Sequence, residues 1–324
     1  MAKVKWGVLG CSDFAHRRAI PAMLESPSVE LVGVASRTRE KAEAFSAEFG
    51  LPRAYPSYED LLEDPDIQAV YIPLPNSLHC TWVMKTAEHR KHCLCEKPFT
   101  SNAEEARQVA AFATRRGIRV AEAFVWRVHC QHQRARSIIQ EGAIGTVRLV
   151  RASFSFILAR KPDIRLAPEL GGGSVMDIGC YPVSAARFYF ADEPTLAYAA
   201  GQTDAEHRVD MRMSGILEFS AGTAMIDCAF NLPPRSGLEI VGDRGTIVIP
   251  KPWQPELEAE IAVNGQVERL PLENQYIKQF DDFSRCLLEG SEPAFGPDDA
   301  VRQMSVLDAV RKSMRSGQPE PVIS

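Results

Sequence analysis

The sequence contains no run of about 18 consecutive apolar residues, so nothing in it reads as a membrane-spanning helix. It has no basic excess either. Its 37 Lys and Arg stand against 42 Asp and Glu, a net charge of −5, which removes the general electrostatic reason to expect nucleic acid or an anionic membrane as partner. Internal repeats, low-complexity tracts and long linkers are missing. The first residues enter a strand pattern directly, without the features of a signal peptide, and a cytoplasmic location follows as the default expectation. In that setting the eight cysteines read as reduced thiols rather than a disulfide framework. One more absence is local: no carboxylate stands at residues 35–39.

What is present is ordinary in bulk and specific in detail. A hydrophobic fraction of 45% in 324 residues is enough for two cores, so two domains are expected. Residues 1–124 alternate strand and helix patterns. Strands are predicted near 3–9, 29–35, 69–72, 92–95 and 118–122, and amphipathic helices over 39–49 and 103–116. Repeated βα units imply a doubly wound parallel sheet of the Rossmann kind. From about residue 145 the pattern becomes strand-rich, with segments at 146–158, 215–219, 223–230, 237–241, 246–249 and 258–263 and hairpin signals at Gly222 and Asp243-Arg244-Gly245. Residues 125–324 are therefore expected to form an α/β domain with an open, mostly antiparallel sheet. Helices at 276–289 and 298–315 close it, and the C-terminal one is a candidate to pack back on the first domain.

The first strand runs into Gly10-Cys11-Ser12-Asp13-Phe14-Ala15, which matches G-x-G-x-x-A except that Ser12 stands in the second glycine position. Gly10 permits the tight turn, and small residues at Ser12 and Ala15 let a pyrophosphate and the sheet come close. The helix that follows aims free N–H groups and a positive dipole end at the phosphates. Alone this pattern is weak. The second strand decides it, because its tip is Ser36-Arg37, with Arg39 and Lys41 beyond, where an NAD-selective fold places Asp or Glu on the ribose 2′-hydroxyl. A hydroxyl and three cations suit a 2′-phosphate, which points to NADP(H).

Two further strands end in Pro73-Leu74-Pro75-Asn76-Ser77-Leu78-His79 and in Glu96-Lys97-Pro98, at the edge where nucleotide crevices form. Later, Gly171-Gly172-Gly173 leads into Asp177 and Tyr181, which share a face if the stretch is helical. The glycines are expected to let backbone approach cofactor or substrate.

Taken in order, GCSDFA at 10–15, SRTREKA at 36–42, YIPLPNSLH at 71–79, EKP at 96–98, EGAIGTVR at 141–148 and GGGSVMDIGCYPV at 171–183 resemble the glucose–fructose oxidoreductase/inositol dehydrogenase/MocA family over essentially the whole length. The likeness is greatest to its NADP-dependent dihydrodiol dehydrogenases, aldose 1-dehydrogenases and nucleotide-sugar 3-ketoreductases. The resemblance implies that Lys97 and Tyr181 occupy catalytic positions and Asp177 a supporting one in the substrate site. Tyr and Lys side chains ordinarily titrate near 10 and 10.4, so either can donate the proton that a hydride-generated alkoxide needs. Tyr181 is assigned as general acid/base and Lys97 as electrostatic stabiliser, with the reverse assignment open.

The candidate cofactor contacts are Gly10, Cys11, Ser12, Asp13, Phe14, Ala15, Ser36, Arg37, Lys41, Pro73, Leu74, Asn76, His79, Glu96, Lys97, Glu122, Trp126 and Arg127. For Glu122 a structural ion pair competes with a cofactor contact, and for Trp126 and Arg127 a hinge-packing role does. Arg160, Lys161, Arg165 and Arg235 are candidate contacts for a phosphate on a nucleotide-linked substrate. The expected reaction is hydride transfer to or from a sugar-like substrate, leaning to keto-sugar reduction. Oxidation of an aldose at C1, as in a D-xylose dehydrogenase, or of a trans-dihydrodiol is the alternative, and a non-catalytic NADP(H)-binding regulator the second. No metal is expected at His89, His92, Cys93 and Cys95, whose side chains alternate faces, nor at His129, Cys130 and His132, which have no distant partner in sequence. A homo-oligomer through the C-terminal sheet is implied by the resemblance alone.

Overall fold

The computed structural model describes residues 2–159, 163–253 and 259–323. The chain divides into two units. The first holds residues 1–125 and 274–301, the second residues 126–273 and 302–324. The sequence reading ran the second domain unbroken from 125 to 324, whereas the helix Gln275–Glu289 and the start of the helix Pro297–Ser316 belong with the first unit.

In the first unit, six parallel strands, β1 (Val4–Leu9), β2 (Val29–Ala35), β3 (Arg53–Tyr55), β4 (Ala69–Ile72), β5 (His92–Glu96) and β6 (Val120–Ala123), lie in the order β3-β2-β1-β4-β5-β6. β1 sits centrally and pairs with β2 on one side and β4 on the other, which makes the ends of these three strands the topological switch point. The central strands β1, β2 and β4 are buried along most of their length, as strands covered on both faces should be. Trp6 is fully buried, stacks edge-on against Phe280 at 5.7 Å and donates its indole N–H to Ser284 Oγ at 3.1 Å. Those contacts explain why the helix Gln275–Glu289, distant in sequence, is part of this core.

The second unit is built on nine strands: β7 (Val147–Ile157), β8 (Leu196–Thr203), β9 (Asp210–Glu218), β10 (Thr223–Ala229), β11 (Asn231–Gly242), β12 (Thr246–Ile249), β13 (Ala259–Val263), β14 (Gln266–Leu270) and β15 (Glu320–Pro321). Their order is β14-β13-β12-β11-β7-β10-β9-β8-β15, antiparallel at every pair but β7–β10. β9 alternates buried and exposed residues, as a strand with one covered face should. The helix Cys180–Phe190 covers that face over β7 and β10. The opposite face exposes Tyr198, Ile216, Met225 and Val248. No described helix is long and apolar enough to cross a membrane.

Candidate active site

The turn after β1 is sharp at Gly10 and tied to its surroundings by backbone and side-chain hydrogen bonds. Gly10 has φ +126°, a backbone conformation that demands glycine, and a Cβ there would also come within 2.9 Å of Leu74 Cδ2. Its N–H donates to the Ala35 carbonyl at 3.0 Å, which ties the turn to the tip of β2. Ser12 Oγ accepts the Ala15 N–H at 3.1 Å, capping a helical run whose first turn, Ala15–Ala19, is π-type. Cys11 is buried, with Sγ 3.9 Å from the Ala35 carbonyl oxygen, and burial pushes its thiol pKa up. Asp13 pairs with Arg17, and the Phe14 ring packs on Tyr276 at 5.7 Å.

At the tip of β2, Ser36 is buried while Arg37 and Lys41 are exposed. Arg39 faces Glu43 at 3.7 Å. Among the described residues Arg37 and Lys41 have no carboxylate partner. Two cations thus stand in sequence beside a buried hydroxyl at this strand tip. Tyr58, which opens the helix after β3 on the same edge, was not singled out from sequence. Burial raises its phenol pKa and the nearby Arg37 charge opposes that shift. The signal that could have located it was the three-residue strand β3, too short for periodicity to show.

The loops after β4 and β5 are fastened to each other. His79 is wholly buried, with Nδ1 2.8 Å from the Pro98 carbonyl oxygen and Nε2 2.8 Å from that of Leu74. With both ring nitrogens committed inside the protein, its direct contact with a cofactor gives way to a bracing role. Pro73, Leu74 and Asn76 lie in the loop that His79 holds, and Asn76 opens the helix Asn76–Glu88. Glu96 accepts the Tyr71 hydroxyl at 2.5 Å. Lys97 follows, half-buried, joined to Pro98 by a cis peptide bond. Glu122 is buried and its Oε1 accepts the Phe99 N–H at 2.9 Å, which gives it a structural role behind Lys97.

In the second unit Asp177 and Tyr181 lie on one helical run, a π-type turn Val175–Gly179 continuing into the helix Cys180–Phe190. The shared face expected from their spacing is thus formed by a wider turn than an α-helix provides. The Tyr181 ring stands edge-on to Phe154 at 5.3 Å and to Trp253 at 5.6 Å. The start of the run is fixed by Asp210, whose Oδ2 accepts Ser174 Oγ–H at 2.6 Å and the Val175 N–H at 2.7 Å. Asp210 has no local sequence signal, since it reaches the helix from β9.

Two of the preceding glycines are required by the protein's own packing. A Cβ on Gly172 would lie 2.6 Å from the Arg165 carbonyl oxygen, and one on Gly173, with φ +117°, would lie 2.3 Å from Asp210 Oδ1. They permit close packing of the protein on itself. Trp126 and Arg127, for which a cofactor contact and a packing role were both open, are packed within the second unit. Trp126 is fully buried among His132, Phe188 and Trp253, and Arg127 donates from Nε and Nη2 to Ser184 Oγ at 2.9 and 2.7 Å.

Of the cations considered for a substrate phosphate, Arg165 is held in a fork by Asp163 and Arg235 by Asp227, at 2.8 Å in each pair's shorter bond. Arg160 and Lys161 lie outside the described residues. His132 points away from Cys130, towards the Tyr189 hydroxyl and the Pro252 carbonyl, each at 2.7 Å. Glu273 instead joins His129 and Cys130, bringing three donor atoms within 4.8 Å, but its Oε1 is already the acceptor for the Cys130 N–H at the helix start.

Residues 4–124 match the GFO/IDH/MocA description "Oxidoreductase family, NAD-binding Rossmann fold", and residues 132–248 match the GFO/IDH/MocA C-terminal domain. The chain is 37% identical to a D-xylose 1-dehydrogenase (NADP(+)) of Haloferax volcanii, over 96% of this chain and 98% of that one. It is 36% identical to a dTDP-3,4-didehydro-2,6-dideoxy-alpha-D-glucose 3-reductase of Saccharopolyspora spinosa, over 97% and 98%. A crystal structure of a 3-ketoreductase from Actinomadura kijaniata, in complex with NADP and TDP-benzene, superposes with a TM-score of 0.90 at 31% identity, covering 96% of this chain and 98% of that one. From the nucleotide turn to the nine-stranded sheet, this chain belongs to the GFO/IDH/MocA oxidoreductase family.

Proposed function

We propose that the protein is an NADP(H)-dependent oxidoreductase of sugars, reducing a keto group, including one on a nucleotide-linked sugar, or running the reverse oxidation. The observation that carries this reading is the presence of both proton-bearing groups, Lys97 at the tip of β5 and Tyr181 at the start of its helix, in a chain whose nucleotide turn is intact. A non-catalytic regulator would need only the second of these features.

The residues at the tips of β1 and β2 fit NADP(H): the Gly10 turn for the pyrophosphate, and Ser36, Arg37 and Lys41 for the 2′-phosphate. When bound, the nicotinamide supplies or accepts the hydride at C4. Tyr181 donates the proton to the alkoxide oxygen and reclaims it in the reverse direction. Lys97 stabilises the negative charge as it develops, and Asp177 holds a substrate hydroxyl. The bracing of Pro98 by His79 and of Phe99 by Glu122 holds the segment from which Lys97 projects.

A second reading, oxidation of a free aldose at C1, is favoured by one feature. Arg165 and Arg235 are both engaged by carboxylates of the same unit, so two of the cations available for a nucleotide-sugar phosphate are already used. The location we assign is the cytoplasm, where the eight free thiols stay reduced. The partner we assign is a second copy of the chain, docking on the sheet face that exposes Tyr198, Ile216 and Met225.

The test follows NADPH consumption and NADP+ reduction at 340 nm over keto-sugars, free aldoses, a cyclic trans-diol and one nucleotide-linked keto-sugar. Turnover that Tyr181→Phe abolishes while NADPH still binds supports the assignment, and the substrate turned over decides between the two readings. Tight NADPH binding with no turnover on any of them would favour the regulator.

A further inference from the structure

Tyr181 stands in an irregular turn of its helical run. The run is π-type over Val175–Gly179 and becomes α-helical at Cys180. Pro182 follows Tyr181 and has no N–H, so it cannot donate to the Ile178 carbonyl four residues earlier. That carbonyl accepts the Cys180 N–H instead. The turn around Tyr181 thus lacks one regular helical hydrogen bond, and contacts from elsewhere in the second unit help to place it.

One such contact comes from Gln303 on the helix Pro297–Ser316, in the part of that helix that belongs to the second unit. Gln303 is wholly buried, and its Nε2 donates to the Cys180 carbonyl oxygen at 2.9 Å. Its Oε1 accepts from Arg187 Nη1 at 3.0 Å. Arg187 is buried too, two turns beyond Cys180 on the same helix. It is forked on Glu193, with Nε to Oε2 at 2.6 Å and Nη2 to Oε1 at 2.8 Å. Arg302 adds a contact from its Nε to Glu193 Oε1 at 3.1 Å. A guanidinium only donates and a carbonyl only accepts, so the Gln303 amide satisfies both in a single orientation. The fork fixes the guanidinium plane, the guanidinium fixes the amide, and the amide fixes the carbonyl beside Tyr181.

We propose that Gln303 is a positioning residue for proton transfer: its amide, oriented by Arg187, holds the main chain at Cys180 and through it the phenol of Tyr181. The proposal rests on Tyr181 as proton donor and deepens that reading with a residue remote in sequence. Asp210 holds the same run at its start, through Ser174 and Val175. Gln303 adds a hold beyond the π-type turn, one residue before the donor. A buried chain of matched donors and acceptors specifies one arrangement of the groups it joins. An apolar side chain of similar length at 303 removes the donor to Cys180 and with it this tie to the C-terminal helix. Misplacing a reacting group by about 1 Å costs on the order of 100-fold in rate.

The experiment measures kcat, KM and the solvent deuterium isotope effect on kcat for the native protein, Gln303→Met and Gln303→Glu. The substrate is whichever sugar the native protein turns over. Gln303→Glu keeps an acceptor for Arg187 and loses the donor to Cys180, so it decides the matter should Gln303→Met not fold. Unfolding temperature and NADPH affinity establish that each variant is folded and binds cofactor. Each should lose about 10–100-fold in kcat with KM near native. The solvent isotope effect should rise, because a displaced donor makes proton transfer the slower step. Native kcat in a folded variant, or a fall in kcat with the isotope effect unchanged, would overturn the proposal. A native protein that turns over no sugar would instead sink the parent reading. Hydrogen exchange over residues 175–186 would then judge the hold itself. Faster exchange there in the variants supports it, and native exchange rates would overturn it.

Discussion

The Nδ1 atom of His79 lies 2.8 Å from the carbonyl oxygen of Pro98, the residue after Lys97. Its other nitrogen lies 2.8 Å from the Leu74 carbonyl oxygen, and the side chain is fully buried. One imidazole therefore joins the two loops that follow β4 and β5. Burial lowers the His79 pKa, and a neutral imidazole carries one N–H, so replacing it with leucine leaves one of the two buried carbonyls without its donor, at a cost of about 1–3 kcal/mol. We expect His79→Leu to lower the urea midpoint and to weaken NADPH binding. Native NADPH affinity in the variant would count against the brace.

The exposed Arg37 beside buried Ser36 is expected to select the phosphorylated cofactor. A charge-assisted hydrogen bond contributes about 1.5–3 kcal/mol, so Arg37→Ala should weaken NADPH binding by about 10–100-fold. NADH, lacking the 2′-phosphate, should lose little. Fluorescence titration of both nucleotides checks this, and equal losses would remove the phosphate assignment. The neighbouring Lys41 should behave in the same way with a smaller effect, since an ammonium cannot make the two-pronged contact.

Much of this organisation was legible in the sequence because it is written in local periodicity. The mostly apolar runs of β1 and β2, the tips at Gly10 and Ser36-Arg37, and the helices 39–49 and 103–116 all appear where the pattern places them. What escaped lacked periodicity. β3 has three residues, and β8 is rich in small residues whose contrast between faces is slight. The roles of buried polar groups escaped for a different reason. Residue type shows that His79, Glu122 and Arg127 carry polar atoms, but only the fold decides whether those atoms meet a ligand or a carbonyl. Gly172 and Gly173 are the sharpest instance. Their need for close approach was readable, whereas the object approached was the backbone of residue 165 and the carboxylate of Asp210.

That packing predicts a graded response among glycine substitutions. Gly173→Ala places a methyl 2.3 Å from Asp210 Oδ1 on a backbone with φ +117°, while Gly50→Ala, at φ +64°, meets nothing within 4 Å. The strained backbone alone costs about 1–3 kcal/mol. Gly173→Ala should add to this the loss of the Asp210 cap on the helical run bearing Asp177 and Tyr181. Turnover should fall sharply in Gly173→Ala while NADPH affinity holds, and Gly50→Ala should keep nearly native turnover. Equal turnover in the two variants would show that the Asp210 contact does not position that run.

Acid should destabilise the protein well before its carboxylates titrate. His132 is buried, and burial pushes its pKa down to about 3, with the Pro252 carbonyl partly opposing that shift. An unfolded histidine titrates near 6.5. Below that pH the unfolded chain binds a proton that the folded one refuses, so stability is complete above about 6.5 and is lost progressively as pH falls towards 3. The slope is about 1.4 kcal/mol per pH unit for one such histidine. His79 and His92, whose pKa values burial also lowers, act in the same direction. Urea unfolding at pH 7.0, 6.0 and 5.0 measures the loss, ahead of most carboxylate protonation. His132→Gln should be less stable at pH 7 but lose stability less steeply with acid. A slope identical to the native one would mean that the folded protein protonates His132 as readily as the unfolded chain does.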